Sequence, residues 1–308
     1  MTGASTGHDR VDLTVVIASI DSTRSLASCL AHLARACQGL RAEVIVVDAS
    51  EGDAADQVKA ACAPVTLLQR RAGSLAPHLW AEGFRQSTGR LVAFSTSHCL
   101  VSPGWATALI RTIDDGATGA GGPLIIGTRT SPLDWAVFYL RYAAFMPHVL
   151  GDGRTDRELA GDNVAYRRDA LDRHAATFTQ GFWEVDFHRR VRADGGWLAA
   201  VPAALVEYSR SFALATILRQ RFAHGRDSGA SRVTAGIRSS WQVVLAAPVV
   251  PFILAARSAV HAVGGPAPWR LAVALPWFLP LAVAWAAGEA VGAIRAGSRH
   301  QSPSESLL

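Results

Sequence analysis

Short apolar, β-branched runs recur along the first hundred positions and alternate with stretches of helical periodicity. The runs DLTVVIA, EVIVVD, VTLL and RLVAF cover, in order, residues 12–18, 43–48, 65–68 and 90–94. Helical patterns occupy 22–39 and 76–86 between them. Strands without polar alternation are typical of a parallel sheet that helices cover on both faces. The pattern therefore predicts an α/β fold that binds its ligands beyond the carboxyl ends of the strands.

The elements predicted after residue 100 are less regular. Helices are expected at 104–114 and 183–194, and a strand at 197–201. The segment 133–149, LDWAVFYLRYAAFMPHV, is aromatic and apolar but too interrupted to span a bilayer. It could lie at a membrane surface or form a buried helix of the same domain.

The pattern changes after about residue 208. Six arginines occur between 209 and 238, and apolar segments follow at 241–256 and 271–294. The second apolar segment has 24 residues and a single ionisable group, Glu289, so it is long enough to cross about 30 Å of hydrocarbon. The first is shorter and could span if the Arg257 side chain reaches the interface. Flanking arginines favour a hairpin with both ends in the cytoplasm; the alternative is a helical pair on the membrane surface.

Composition supports attachment to a membrane. Half of the 308 residues are hydrophobic, only 18% are charged, and mean hydropathy is +0.19. The net charge is +5, and Lys59 is the only lysine, so the cations are almost all guanidinium groups. Guanidinium pairs with phosphate in a planar, two-pronged way, which suits a nucleotide, a phospholipid or a nucleic acid. A nucleic-acid binder would also need an aromatic platform or a recognition helix, and neither pattern is present.

Cysteine spacing and the N-terminus indicate the compartment. The four cysteines, Cys29, Cys37, Cys62 and Cys99, lack CxxC spacing, which argues for reduced thiols and against a disulfide frame or a zinc site. MTGASTGHDR has no apolar core of the kind that a secretory signal needs. We expect the large N-terminal part to stay in the cytoplasm.

Polar residues follow three of the predicted strands. Residues 19–22, 48–50 and 95–98 should gather around one crevice, because the carboxyl ends of parallel strands meet at one edge of the sheet. Asp48 could accept hydrogen bonds from a nucleobase or ribose there, although an aspartate at a strand end also occurs in turns and caps. The first turn after a strand reads ASIDSTRS and lacks the G-x-G-x-x-G phosphate cradle, which argues against a dinucleotide fold.

Six segments occur in a recognisable order. They are VVIASIDS, EVIVVDAS, GFRQSTG running into RLVAF, VSPGW, GDNVAYRRDAL and FWEVDFHRRVRADGG. Together they resemble family 2 glycosyltransferases of the GT-A fold, over about residues 11–230. Each motif is weak alone, and the ordered set is specific. The resemblance implies a mostly parallel sheet with helices on both faces, a nucleotide-sugar donor, and transfer to a hydroxyl or phosphate, with inversion.

The resemblance also implies roles for individual residues. Asp48 matches the carboxylate that binds the donor's base, and Ser19 and Asp21 lie in the loop that approaches the nucleotide. Asp162 and Asn163 match the loop under the donor sugar and the acceptor.

Glu184 falls where the family has its general base, and Trp183 replaces the acidic residue before it. A carboxylate is suited to take the proton of an attacking hydroxyl. Asp186 is the reserve candidate, since residues two apart on a helix point in different directions. The alternative is that both are acids favoured by the helix N-terminus.

The family's metal-binding Asp-any-Asp pair is missing. Alignment back from VSPGW places Thr96 and His98 at the two aspartate positions, with Ser97 between them, so Ser97 and His98 become the donor-side candidates. Threonine is a poor metal ligand, whereas His98 could hold a manganese-like ion and suits magnesium less well. Three alternatives stay open: His98 binds a divalent metal, arginines replace the metal, or donor chemistry has been lost.

The segment RQRFAHGR lies where the family carries an acceptor-side motif. Its members Arg221 and His224 are the candidates for acceptor contacts, and its arginines could neutralise phosphate. Arginines beside a membrane also contact lipid headgroups, which is the alternative.

These observations predict the organisation of the chain. We expect a flexible N-terminus (1–10), a GT-A catalytic domain (11–208), a basic juxtamembrane segment (209–240), a membrane hairpin (241–296) and a disordered tail (297–308). The expected protein is a glycosyltransferase at the inner membrane, with its catalytic domain in the cytoplasm and a lipid-linked or membrane-proximal glycan acceptor. The alternative is a catalytically silent relative that binds a nucleotide-sugar or a partner at the membrane.

Overall fold

A computed structural model describes residues 11–20, 25–52, 54–60, 64–127 and 130–300. The chain forms two compact units. The first consists of residues up to 127 together with 145–210, and the second of the short segment up to 144 together with the residues from 211 onward.

All the described strands belong to the first unit. They are β1 (Leu13–Ser19), β2 (Ala42–Asp48), β3 (Val65–Gln69), β4 (Leu91–Thr96), β5 (Cys99–Val101), β6 (Gly119–Gly121), β7 (Leu124–Ile126), β8 (Gly153–Thr155), β9 (Asn163–Arg167), β10 (Leu198–Ala200) and β11 (Val206–Tyr208). Its helices are α1 (Ser25–Ala36), α2 (Ala54–Lys59), α3 (Ala76–Gln86), α4 (Trp105–Asp114), α6 (Pro147–Leu150), α7 (Arg168–His174) and α8 (Glu184–Ala193).

The second unit is helical in its described part. Its helices are α5 (Pro132–Tyr142), α9 (Leu214–Thr234), α10 (Ser240–Ala246), α11 (Val250–Ala262) and α12 (Trp269–His300). A short 3-10 turn covers Ala143–Phe145, where the chain passes from the second unit to the first, and another covers Ala175–Gln180 in the first unit.

The main sheet has the predicted parallel half and an antiparallel insertion. Its order is β3-β2-β1-β4-β9-β6-β10-β8, and β1 pairs in parallel with both β2 and β4. Strand β1 is buried along its whole length, because the sheet is covered on both faces there. Strand β9 runs antiparallel between β4 and β6, so its first residue, Asn163, pairs with Ser95 at the carboxyl end of β4. The start of β9 therefore lies at the edge where the family's ligands are expected.

Close packing holds the helices on this sheet. A Cβ atom at Gly83 of α3 would lie 2.2 Å from Val16 Cγ1, so only glycine allows α3 to approach β1 this closely. Phe94 and Phe182 stack with their ring centroids 4.5 Å apart, and Tyr166 packs against both. The α/β prediction for the first unit is thus confirmed.

The segment 133–149 is divided among α5, a 3-10 turn and α6, and α5 is mostly buried. Ser131 and Asp134 cap α5 reciprocally, which explains why the helix begins at Pro132. Val137, Phe138 and neighbouring side chains are buried. This agrees with the prediction of a buried helix, except that α5 belongs to the second unit and not to the same domain as the sheet.

Helices α9 and α12 cross with their backbones in close contact. Gly225 and Gly229 on α9 face Gly288 and Gly292 on α12. A Cβ atom at Gly288 would lie 2.1 Å from the Phe222 carbonyl oxygen. Both pairs have the G-x-x-x-G spacing that allows helices to approach closely. We call this crossing the glycine seam.

The first predicted membrane segment is not one straight helix. Helices α10 and α11 are separated by a short break and bent by 65°. Among the described residues, Trp269–Ser298 is the helix long and apolar enough to cross a membrane, and the bent pair would count as a second span only if taken together. Whether either segment crosses a bilayer remains a prediction.

Candidate active site

The carboxylate of Asp48 lies at the carboxyl end of β2, beside the end of β1. It is buried and accepts hydrogen bonds from Ser19 Oγ at 2.6 Å and from Ser50 Oγ at 2.9 Å. A backbone hydrogen bond from Ala49 N to Ser19 O also joins the ends of β1 and β2. Two hydroxyl donors hold the carboxylate oxygens in a defined orientation. The predicted proximity of Ser19 and Asp48 is therefore present, and their contact with a nucleotide stays a prediction.

A second group of side chains gathers where β4 ends and β9 begins. Ser95 Oγ donates to the backbone oxygen of Asp162 at 3.1 Å, and Trp80 Nε1 donates to Ser95 O at 2.8 Å. Asp162 is buried. Burial, with the nearby Asp162 carboxylate acting in the same direction, raises the pKa of the Cys99 thiol to about 12. Asp162 is thus part of the crevice at the end of β4.

Glu184 lies against this group. A Cβ atom at Gly161 would be 3.2 Å from Glu184 Cδ and 2.9 Å from the Trp80 ring, so the glycine leaves room for both side chains. Glu184 is half-buried at the first position of α8.

Asp186 points elsewhere on the same helix. It accepts from Arg189 Nη2 at 3.0 Å in an exposed i,i+3 pair. This separation agrees with the expectation that only one of the two acids faces the crevice. It favours Glu184, whose catalytic role stays a prediction.

The turn at Thr96–Cys99 presents few ligands for a divalent metal. Thr96 Oγ1 and Cys99 Sγ form a hydrogen bond of 3.3 Å. His98 Nε2 lies 3.2 Å from the backbone oxygen of Ile20, and a carbonyl only accepts, so this nitrogen carries the proton. Within the described residues, no group of three or more His, Cys, Asp or Glu side chains is arranged to hold a metal ion.

Ser97 joins this turn to the end of β1. Its side chain is fully buried, and its backbone N–H donates to Ala18 O at 3.1 Å, which joins the turn to the end of β1. Ser97 and His98 therefore lie at the carboxyl-end edge of the parallel strands, and their contact with a donor stays a prediction. Asp21, the remaining donor-side candidate, lies outside the described residues.

Asn163 is engaged inside the protein. Its Oδ1 accepts from Trp105 Nε1 at 2.7 Å, and its Nδ2 donates to the carbonyls of Pro123 and Ala204. The side chain is fully buried. Asn163 thus joins β9 to three distant segments and has a structural role. Its contact with the sugar remains a prediction.

Arg221 and His224 lie at the glycine seam of the second unit. The Arg221 guanidinium is 4.3 Å from the centroid of the Trp285 ring, and the His224 ring is 5.1 Å from the same ring. Arg221 is buried there. Their predicted contact with an acceptor stays a prediction.

The structure also reveals a buried polar chain that the sequence interpretation missed. Tyr166 Oη lies 2.5 Å from His188 Nε2, and His188 Nδ1 bonds to the Glu158 carboxylate. Arg192 completes the chain through Glu158 at 2.8 Å. Burial lowers the pKa of His188, so the ring is neutral, donates to Glu158 and accepts from Tyr166. His188 and Arg192, the two members on α8, are spaced i,i+4, which places them on one face of the helix and is a local signal of the chain.

A polar cleft of about 360 Å³ lies at the opposite, amino-terminal edge of the sheet. It is lined by Arg167, Asp169, Arg173, His174 and Asp194, among others. Its cations already pair with carboxylates, as Arg173 does with Asp194 at 3.1 Å. Hydrogen bonds from His174 and then Arg173 lower the pKa of Asp194. Because carboxylates already neutralise these cations, the cleft is less suited to bind an anionic nucleotide-sugar than its number of arginines suggests.

The chain is similar to a known protein family and to several solved structures. A model of glycosyl transferase family 2 matches residues 14–175. Mannosyltransferase PcManGT from Pyrobaculum calidifontis, solved in complex with GDP-Man and Mn2+, shares 14% identity and a TM-score of 0.49, over 95% of this chain and 76% of that one.

Two structures of S. aureus TarS are also similar. The structure of TarS residues 1–349 shares 13% identity with this chain and a TM-score of 0.47, over 72% of this chain and 66% of that one. A second TarS structure shares 14% identity and a TM-score of 0.46, over 68% of this chain and 39% of that one. No curated protein matches the sequence significantly. The family match covers more than half of the 308 residues and confirms the predicted family: the chain belongs to glycosyl transferase family 2.

Proposed function

We propose that this family 2 glycosyltransferase transfers a sugar from a nucleotide-sugar donor to a lipid-linked or membrane-proximal acceptor, with inversion at the anomeric carbon. The observation that carries the proposal is the convergence of Asp48, Asp162 and Glu184 on the carboxyl-end region of the parallel strands. Ligands of open α/β sheets bind at this edge.

Asp48 is proposed to bind the base or ribose of the donor. Hydrogen bonds from Ser19 and Ser50 orient its carboxylate, and further lone pairs stay available to accept a donor N–H or O–H. A buried, oriented acceptor of this kind discriminates strongly between bases, because a base without the matching donor leaves the carboxylate unpaired.

Glu184 is proposed to take the proton of the acceptor hydroxyl. In a direct displacement, the hydroxyl oxygen attacks the anomeric carbon, the bond to the diphosphate oxygen breaks, and the hydroxyl proton passes to the base. One carboxylate next to the crevice is sufficient for this step, and a single displacement inverts the anomeric centre. Glu184 meets the requirement because it lies beside Gly161 and Asp162, at the start of β9.

The proposed proton transfer uses protein side chains alone, and no metal ion takes part in it. The family's metal pair is replaced by Thr96 and His98, and both have hydrogen-bond partners within the protein. A test is donor binding in EDTA and in added manganese, measured by thermal shift for wild type and His98→Ala. Unchanged binding in EDTA would remove His98 as a metal ligand. A manganese requirement that His98→Ala weakens would restore it.

Association with a membrane is proposed for the second unit. Large apolar side chains are exposed on α10, α11 and α12, including Trp241, Phe252 and Trp269. A chain with this surface and a net charge of +5 is suited to an anionic membrane. We propose the cytoplasmic face of the inner membrane, where nucleotide-sugars and lipid-linked acceptors meet.

The experiment that tests the activity uses the full chain in detergent with a panel of UDP- and GDP-sugars and a membrane lipid extract as acceptor source. Release of nucleoside diphosphate is measured for wild type, Glu184→Gln and Asp186→Asn. We expect Glu184→Gln to lower the rate by about a hundredfold or more, because general bases contribute about 10²–10⁴-fold. Asp186→Asn is the matched control and should retain activity. Equal loss in both variants would contradict the assignment of the base.

The second candidate is a catalytically silent protein that binds a nucleotide-sugar at the membrane. The observation that favours it is the turn at Thr96–Cys99, where internal hydrogen bonds replace the metal-binding pair. In that case donors would shift the melting temperature, and no donor in the panel would release nucleoside diphosphate.

A further inference from the structure

We propose that the second unit inserts α10, α11 and α12 into one leaflet of the membrane, with the turn between α11 and α12 remaining on the side of the catalytic domain. The helices would then lie along the membrane surface instead of crossing it as a hairpin. The inference rests on the membrane association proposed above and specifies how that association is made.

The turn between α11 and α12 is joined to α5. Tyr139 Oη on α5 donates to the carbonyl of Ala267 in the turn at 3.2 Å, and Ser258 Oγ on α11 donates to Tyr139 O at 3.2 Å. At the start of α12, the Arg270 guanidinium lies 4.6 Å from the centroid of the Trp135 ring. The turn of the predicted hairpin must therefore be on the same side of a membrane as α5.

The chain does not allow α5 to lie on the far side. Strand β7 ends at Ile126 and α5 begins at Pro132. Six residue steps of fully extended chain reach at most about 21 Å, less than the hydrocarbon thickness of about 30 Å. Asp134 in the first turn of α5 also accepts from Phe212 N at 3.0 Å, just before α9 begins. Helix α5, the turn and the entry to α9 therefore belong to one side.

The C-terminal half of α12 is covered by a charged helix. At the glycine seam the two backbones touch, and Arg232 on α9 pairs with Glu289 on α12 at 2.7 Å. Next to the seam, Arg226 pairs with Asp227 at 3.0 Å. A crossing α12 would bring these charges into hydrocarbon, which is costly. Only residues 269–284 would be free to insert, a length of about 24 Å, which is shorter than the hydrocarbon layer.

The surface left over is suited to acyl chains and headgroups. Large apolar side chains on α10–α12 are 62–71% exposed: Trp241, Leu245, Phe252, Val260 and Trp269. Arg238 and Arg257 are exposed among them. Apolar residues with tryptophan and arginine in one helical surface are typical of helices that lie in the interface of an anionic membrane. The proposed occupant of this surface is the lipid of one leaflet.

Cysteine labelling tests the position of the turn. In a variant whose native cysteines are replaced by serine, Pro266→Cys is placed in the turn, and Arg238→Cys serves as the control before α10. A membrane-impermeant maleimide is added to spheroplasts and to inside-out vesicles. We expect both cysteines to react only in inside-out vesicles. Reaction of Pro266→Cys in spheroplasts, or in neither preparation, would overturn the proposal, while the proposed activity could still hold.

Vesicle binding tests the occupant. Flotation with vesicles of 70% phosphatidylcholine and 30% phosphatidylglycerol is measured for wild type, Phe252→Asp and Val260→Asp, with Ile294→Asp as the matched control beyond the seam. We expect each of the first two changes to lower the bound fraction by about tenfold, because each places a charge where the proposal puts an exposed apolar side chain among acyl chains. Equal binding of all variants would overturn the assigned surface. A detergent-free dimer that does not float would assign the surface to a second copy of the chain, and would also remove the proposed membrane association.

Discussion

The glycine seam gives a sharp prediction about the second unit. Replacing Gly292 with alanine adds one methyl group, whose carbon would lie 1.9 Å from the Arg226 carbonyl oxygen. This neighbour is backbone, so no side chain can turn away to make room. Helices α9 and α12 must move apart along the seam.

The size of the effect follows from this distance. Ordinary contact begins at 3.4 Å, so the backbones must separate by about 1.5 Å at this point. Overpacking of a tight interface costs about 1–3 kcal/mol, and the upper part of this range, about 2–3 kcal/mol, applies here because the neighbour is a backbone atom. Alanine recovers roughly 1 kcal/mol through its higher helix propensity. A net loss of about 1–2 kcal/mol in the free energy of unfolding corresponds to a melting temperature lower by about 2–8 °C.

The assay is thermal unfolding of the full chain in detergent, followed by tryptophan fluorescence, since Trp285 lies at the seam. Gly104→Ala is the control, because that glycine has an ordinary φ of −87° and no atom within 4 Å of an added Cβ. A Gly292→Ala melting temperature equal to or above that of wild type would refute the close crossing of the two helices.

Three further predictions concern the first unit. Asp48→Asn should weaken nucleotide-sugar binding by about tenfold or more, through loss of a charge-assisted hydrogen bond, in a thermal-shift titration; unchanged affinity would exclude the role. Asn163→Ala should cost at least about 2 kcal/mol in chemical unfolding, because three buried groups lose their partner, and a smaller loss would mean that water replaces it. Burial lowers the pKa of His188 below 6.5, so the unfolded chain takes up a proton first and stability falls as pH drops below about 6.5. His188→Gln, which can keep the bonds to Tyr166 and Glu158, should flatten the fall in melting temperature between pH 7 and 5, and an unchanged slope would contradict the assignment.

Much of the first unit follows from local patterns in the sequence. The parallel strands β1 and β2 and helix α3 lie where hydrophobic periodicity predicts them, with α3 matching at both ends. Periodicity succeeds here because burial on a sheet or against one helix face constrains each residue in turn. The position of Asp48 at the carboxyl edge follows in the same way, since parallel strands end together.

Contacts between distant segments came only from the tertiary structure. The antiparallel insertion of β9 brings Asn163 beside Ser95, and Asn163 then bonds to Trp105, 58 residues away. No local pattern encodes such a partner, because any buried donor of suitable geometry could satisfy it. The link between His188 and Glu158 is of the same kind.

In the second unit too, the sequence predicts the helices, whereas their contacts are seen only in the tertiary structure. Apolar composition indicated helices 241–256 and 271–294 and suggested that they cross a membrane, because hydropathy measures length and polarity only. The spacing of Gly288 and Gly292 was visible in the sequence, but its partner on α9 was not. The sequence by itself thus determined the family, the parallel strands and the apolar helices. The tertiary structure decided which side chains meet and what covers α12, because those depend on contacts between residues far apart in the chain.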